Sequence, residues 1–476
     1  MRVLHVLGVC CVVLLLGLST LSAQFWTPLT HQPTFSASTA LLLTDGTVMV
    51  HDAGGQRWFK LTPDSTGSYI NGAWSQLASL SAGYSPLYYA SAVLKDGRVI
   101  VMGGEYNFFN AVWTNLGAIY NPVTNKWKSM GHPTGWTTIG DGQSTTLFDG
   151  TFILANCCTK EAATLDPKTL AWTIVGSGKA DVNDEEGWTL LPSGKILTID
   201  AFNGTATELF DPVTKVWSLA GNTPVALVEP SSHELGPAVL RPDGTVFATG
   251  ATGHNAIYNS GTGIWSAGPD FPKVGGVFLD IADGPGALLP NGNVLVGASP
   301  GVFQANTRFF EFDGINLNAV PATPNAPGFS SFEGRMLVLP TGQVMFTDGS
   351  SDVEIYTSSG GPNPAWMPVI TSVAKTLIHG KSYAVKGKQL NGLSAAGEYG
   401  DDAQAASNYP LVRITNDATG RVAYARTKNH SSMGVATGNL IVTTHIKIPA
   451  TIDLGPSHLE VVANGIASAP VAVTIN

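Results

Sequence analysis

A short apolar run ending in a glycine turn recurs seven times along this 476-residue chain. It reads ALLLTDG ending at Gly46, AVLKDG at Gly97, TLFDG at Gly150, LLPSG at Gly194, LRPDG at Gly244, LLPNG at Gly292 and VLPTG at Gly342. Successive glycines lie 44 to 53 residues apart. A period of that length, too long for a coiled coil and too regular for loops, points to a ring or stack of equivalent units. Asp-Gly or Asn-Gly between two apolar runs predicts a tight hairpin in which both central residues adopt positive φ.

Each turn leads into a second apolar run, such as RVIVMGG (98–104) or TVFATG (245–250). A third ends in a Pro, Asp or Asn turn: IYNPVT (119–124), TLDPKT (164–169), LFDPVT (209–214), IYNSGT (257–262). A fourth contains Trp74, Trp127, Trp172, Trp217 or Trp265, with Leu317 near that place in unit six. Four short strands per unit predict an all-β, seven-bladed kelch-type β-propeller. The seventh unit stops after EIYTSSG (354–360), and Trp26-Thr27-Pro28-Leu29 is a Trp-bearing strand without a unit. The N-terminus is therefore expected to close blade seven at 26–29, which removes exposed sheet edges. The propeller should span 24–361. Beyond it, PVITSV (368–373), KSYAVKG (381–387), PLVRI (410–414), NLIVTTHIKI (439–448) and HLEVVA (458–463) predict a small β-sandwich over 362–476. GLSAAGEYGDDAQAASN (392–408) reads as a long polar connection.

Residues 1–23 read as an export signal, with Arg2, an apolar run from Val6 to Leu18 and small residues at Ser22-Ala23. The mature chain is expected to be secreted, extracellular or periplasmic, monomeric and without stable membrane insertion. Cleavage removes Cys10 and Cys11 and leaves Cys157 and Cys158 adjacent. Neighbouring cysteines reach disulfide geometry only with distortion; the alternatives are a vicinal disulfide, pairing with another chain or two plain thiols. A net charge of -9 argues against nucleic-acid partners.

The signal, the seven blades and the final sandwich together resemble the galactose oxidase and glyoxal oxidase family, with NYPLVRI (408–414) and NHSSMG (429–434) the most specific segments. The resemblance implies an immunoglobulin-like early-set C-terminal domain that sends a hairpin up the propeller axis, with His430 as the copper-binding His. Family enzymes hold copper with two Tyr and two His and cross-link one Tyr to a Cys. Tyr88 matches the cross-linked Tyr, but Ser36 or Ala37 stands at the Cys position, and Phe332 and Glu333 at the Tyr-His pair. Two-electron oxidation by that mechanism needs the radical, so the architecture is expected without the oxidase site.

A different pattern fills those positions. An acid just before an inner strand recurs as Asp141-Gly142, Glu186-Gly187, Glu234-Leu235-Gly236, Asp283-Gly284 and Glu333-Gly334. Ring symmetry would gather these around one mouth of an axial funnel. With Tyr88 and His430 they are the candidate ligand-binding residues. Bare carboxylates there would repel one another, so backbone donors, protonation or a cation are expected to satisfy them. Asp283, Glu333 and His430 are the candidate metal ligands, for Ca²⁺ through oxygens or for a transition metal through the imidazole. No cofactor is required beyond such a divalent cation. Tyr106, Phe108, Phe109, Trp113 and Trp136 lie in loops suited to stacking on carbohydrate, whereas His51, His233 and His254 read as ordinary loop residues. The chain is expected to bind carbohydrate or another small ligand and not to be an enzyme. The alternative is a diverged copper radical oxidase or another metal-dependent enzyme.

Overall fold

A computed structural model describes residues 24–476; the expected export signal lies outside them. The chain is an all-β propeller. Among the described residues, seven antiparallel sheets each contain a four-stranded meander, and one gains a fifth strand. The inner strands Ala37–Leu42, Leu235–Leu240 and Arg335–Val338 are buried throughout. The outermost strands Ala73–Gln76 and Lys126–Ser129 are mostly exposed. That gradient follows from the sequence: the strand flanking each Gly turn is a continuous apolar run, as expected for a strand covered on both faces. The inner strand Ala37–Leu42 touches both Ala90–Val93 and Arg335–Val338, so the first and last units are neighbours.

All seven glycine turns are built alike. The Gly N–H donates to the carbonyl three residues back, from Gly46 to Leu43 (3.0 Å) round to Gly342 to Leu339 (2.9 Å). The seven glycines have φ between +75° and +88°, whereas the residue before each stays at negative φ. The turns are thus type I turns closed by a left-handed Gly, not the turns with two positive φ values expected above.

Phe25–Pro28 pairs antiparallel with Val353–Thr357, with Trp26 opposite Tyr356. The recurring Trp, except Trp217, whose Nε1 is buried without a partner, clasps adjacent sheets. Trp127 Nε1 donates to Ala78 O (2.9 Å), Trp172 Nε1 to Gly131 O (2.7 Å) and Trp74 Nε1 to His31 O (2.9 Å), each a carbonyl just beyond the neighbouring sheet's outer strand. Trp26 Nε1 donates to Pro321 O (2.6 Å), and its ring packs on Phe309, Phe346 and Tyr356 at 4.8 to 5.6 Å. Trp26→Ala is expected to cost about 3 kcal/mol, at the lower end for a large aromatic because the ring is only half-buried. Chemical denaturation reads this; an unchanged midpoint would contradict the clasp.

The C-terminal strands from Val369–Ser372 to Val471–Ile475 form a second all-β unit with its own apolar core around Val385, Val412, Ile446 and Leu459. Val422–Lys428 and Val471–Ile475 are strands that the sequence reading passed over. The unit docks on the glycine-turn face of the ring: Thr427 N donates to Thr44 O (2.9 Å), Arg426 pairs with Asp45, and Tyr409 donates to Leu42 O.

The segment 392–408 is not a surface connection. Residues 391–405 are buried without interruption, and Gly397–Glu398 adds a strand to Gly286–Leu288 at the centre of the ring. Its many Gly, Ala and Ser residues let a backbone run between inner strands where larger side chains would collide. A Cβ on Gly400 would lie 1.9 Å from Asp283 Oδ1.

Candidate functional site: an acidic axial pocket

The axial segment ends beneath a pocket of about 440 Å³ on the face opposite the glycine turns. Glu105, Asp141, Glu185, Glu234, Asp283 and Asp401 line it together with Tyr88, Tyr106, Phe303 and Phe332. Five inner strands are preceded by left-handed backbone: Tyr88 (φ +50°), Gly140 (+68°), Glu185 (+57°), His233 (+63°) and Asp283 (+50°). Left-handed non-glycine residues are uncommon and cluster where function constrains the backbone. Here they turn the chain at the pocket mouth.

Of the residues singled out from sequence, Tyr88, Asp141, Glu234 and Asp283 do line the pocket. Glu186 does not. Its neighbour Glu185 takes that place, and Glu186 turns into the fourth sheet, where it binds Lys179 Nζ at 2.9 Å. Glu185 sits in left-handed backbone at φ +57°, and that bend sends it to the pocket and its neighbour inward, so an acid-Gly register misassigns the Glu-Glu pair by one residue. Glu333 does not line the pocket either. It completes a capping box, its carboxylate accepting from Ser330 N at 2.9 Å; the pocket residue there is Phe332. His430 is fully separated from the mouth. It lies on the glycine-turn side, its N–H donating to Lys95 O (3.3 Å) and its ring beside Tyr409. Burial, followed by the nearby His445, lowers its pKa to about 3. Asp283, Glu333 and His430 therefore do not form a metal site. The axial residue facing the pocket is Asp401, hidden in sequence within the apparent connection.

The carboxylates that do meet are Glu185, Glu234 and Asp283, which offer oxygens all within 4.8 Å of one another. Glu234 is 6% exposed, and its Oε2 lacks a donor. Asp141 Oδ1 and both carboxylate oxygens of Asp402, just below, are also buried without donors. Beneath them Arg335 stacks 3.8 Å from the Tyr399 ring and donates to Phe332 O and Gly334 O. A single guanidinium cannot neutralise so many acids. Burial, then Glu185, pushes Glu234 up to about 9. Burial, then Asp141, pushes Glu105 up to about 7. Burial pushes Asp402 up to about 7 against the pull of Arg335. Asp283 is raised by burial and then by Glu234.

These shifts carry a sign. Each group keeps a proton when folded that the unfolded chain releases above its ordinary carboxylate pKa. The cation-free fold should therefore lose stability as pH rises, from about pH 4.5 through about 7 for Asp402 and about 9 for Glu234. The slope is about 1.4 kcal/mol per pH unit for each fully shifted group. Melting curves from about pH 5 to about pH 9 should show a falling Tm; a Tm that climbs over this range would contradict the protonated pocket.

Cys157 and Cys158 flank this site. Their sulfurs are 2.7 Å apart, both thiols are free, and Asp184 Oδ1 lies 3.4 and 3.5 Å away. Of the other histidines singled out from sequence, His51 is not in a loop but in the strand Val48–Asp52, buried against Trp58, whereas His233 stacks on Phe202 and His254 pairs with Asp270. Trp136 is buried, whereas Phe108, Phe109 and Trp113 are exposed beside the pocket residue Tyr106.

The donors do not fit a copper-radical centre. Neither imidazole nor thiol lines the pocket, and copper(II) favours nitrogen ligands. Carboxylate oxygens fit a hard cation instead. Oxygens bound to one Ca²⁺ at about 2.3–2.6 Å lie no more than about 5 Å apart, and these three, all within 4.8 Å of one another, meet that limit.

No protein-family model matches the chain, and no curated protein matches it. Among solved structures, a fungal alcohol oxidase of the AA5 family in complex with copper aligns over 96% of this chain and 100% of its own, with 12% identity and a TM-score of 0.54. A streptogramin B lyase aligns over 71% of this chain and 98% of its own, with 10% identity and a TM-score of 0.49. The first likeness is one of fold, a β-propeller shared with an oxidase of the galactose oxidase type.

Proposed function

We propose that this is an exported binding protein whose axial pocket holds a divalent cation, Ca²⁺ by donor type, and through it a small polyhydroxylated ligand of the carbohydrate class. The observation that carries the reading is the convergence of Glu185, Glu234 and Asp283 oxygens within 4.8 Å. The unpartnered buried Glu234 Oε2 supports it, since a cation would satisfy that atom. Vicinal hydroxyls can replace water on a Ca²⁺, which takes six to eight oxygens. The rings of Tyr88, Tyr106, Phe303 and Phe332 supply apolar walls. The C-terminal unit, taken as the immunoglobulin-like early-set domain, serves as the mount that feeds 392–408 into the axis. We take oxidase chemistry to be absent, because the pocket offers carboxylates and phenols where copper-radical chemistry needs imidazoles and a thiol.

Thermal melting at about pH 8 with Ca²⁺, Mg²⁺ and Cu²⁺ in turn tests the cation. Ca²⁺ should raise Tm saturably, following mass action, and a panel of sugars should raise it further only when Ca²⁺ is present. An increase with Cu²⁺ alone, accompanied by hydrogen peroxide release from a primary alcohol, would favour the oxidase alternative.

A further inference from the structure

The pair Cys157–Cys158 lies behind the pocket wall, and neither thiol contributes to the cation site. Cys157 follows the strand Phe152–Ala155, and its N–H donates to Ile139 O (3.0 Å), two residues before the pocket's Asp141. The turn is pinned on both sides, by Asn156 N to Glu161 O and by Thr159 N to Asn156 O. Cys158 sits in left-handed backbone at φ +68°. Cys157 is 4% exposed, whereas Cys158 is partly open to solvent. One thiol is therefore reachable and the other is stored directly behind it.

A soft metal is poorly served by this arrangement. A tetrahedral zinc holding both sulfurs at about 2.3 Å would part them to about 3.8 Å, and these lie 2.7 Å apart. Contact between the sulfurs suits bond formation between them. Adjacent cysteines are closer along the chain than disulfide-bonded residues usually are, so the bond carries strain and is easily reduced, the character of regulatory disulfides.

We propose that Cys157 and Cys158 form a reversible vicinal disulfide, a redox-sensitive site behind the wall of the axial pocket, made by exchange with low-molecular-weight disulfides. The Cys158 thiol releases its proton to solvent and its thiolate attacks one sulfur of RSSR; that S–S bond breaks, and RS⁻ leaves and takes up a proton from solvent. Cys157 sulfur then attacks Cys158 in the mixed disulfide, the Cys158–SR bond breaks, and the departing thiol carries away the Cys157 proton. Two cysteine thiols are oxidised and one RSSR is reduced to two RSH.

The test uses the full chain, first reduced with a phosphine and then equilibrated over a range of oxidised-to-reduced glutathione ratios. Iodoacetamide trapping and peptide mass spectrometry follow. The peptide carrying both residues should lose two hydrogens and its alkylation sites together as the ratio rises, with little glutathione adduct. Cys157→Ser should halt at the mixed disulfide on Cys158, with about tenfold more adduct than the native chain. Cys158→Ser should leave the buried Cys157 unmodified. Two free alkylatable thiols at every ratio would overturn the proposal, and so would a native chain that accumulates the glutathione adduct. Neither result bears on the cation site, which uses different residues.

Discussion

Lys179→Met is expected to destabilise the fold by about 3–5 kcal/mol, the usual cost of stranding buried charges. Lys179 Nζ lies 2.9 Å from Glu186 Oε1, 2.7 Å from Glu208 Oε2 and 3.9 Å from Asp200 Oδ1, and no side chain in the cluster is more than 1% exposed. Its ammonium also lies 5.1 Å from the Trp217 ring. Without it the carboxylates face one another in a medium that cannot solvate them. Burial already holds Glu186 well above the usual range despite the pull of Lys179. Adding Glu186→Gln and Glu208→Gln should restore much of the loss, because the two carboxylates nearest the lost ammonium are then neutral and only Asp200, 3.9 Å from it, remains acidic. Denaturant midpoints measure both steps. A Lys179→Met loss below about 1 kcal/mol, or no recovery in the triple variant, would show that the cluster is not an ion-paired unit.

The second large effect concerns the pocket. Glu234→Gln and Asp283→Asn should each weaken Ca²⁺ binding by roughly 100-fold, since ligand charge count sets affinity over decades. Together they should abolish it. Both substitutions also relieve repulsion, so the cation-free variants should melt higher than the native chain, especially above about pH 7. Loss of binding with a gain of stability separates a ligand role from a structural one. Glu333→Ala is the control. It should leave Ca²⁺ affinity unchanged and cost about 1 kcal/mol through the lost cap. Equal loss of binding in all three variants would point to general damage.

The fold class was legible in the sequence because a propeller repeats its turn chemistry. Seven Gly turns and the recurring Trp mark places where backbone sign and an inter-sheet hydrogen bond leave little choice of residue. The type of turn was less legible, because Asp-Gly suits a turn with two left-handed residues as well as one with a single left-handed Gly. The pocket was legible in part. Acids at the inner-strand starts marked Asp141, Glu234 and Asp283, but a left-handed bend at Glu185 decides between Glu185 and Glu186, and that backbone choice lies beyond pattern reading. Glu333 followed the same pattern yet serves as a helix cap, a local use that sequence spacing does not distinguish. Asp401 and Tyr399 were hidden because a run of small residues that fits a crowded axis looks like a long polar connection. His430 was misplaced for the complementary reason: the axial role belongs to 392–408 and not to 429–434.

The central claim, that Glu185, Glu234 and Asp283 converge on a cation, is tested most directly by equilibrium dialysis followed by elemental analysis. The purified chain would be stripped with chelator and dialysed against Ca²⁺ at about pH 8.5, where the higher pH draws protons from the pocket. One Ca²⁺ per chain, displaced as pH falls towards about 5 and absent from the Glu234→Gln, Asp283→Asn double variant, is the expected result. No bound Ca²⁺ at millimolar free ion, or the same stoichiometry in the double variant, would contradict it.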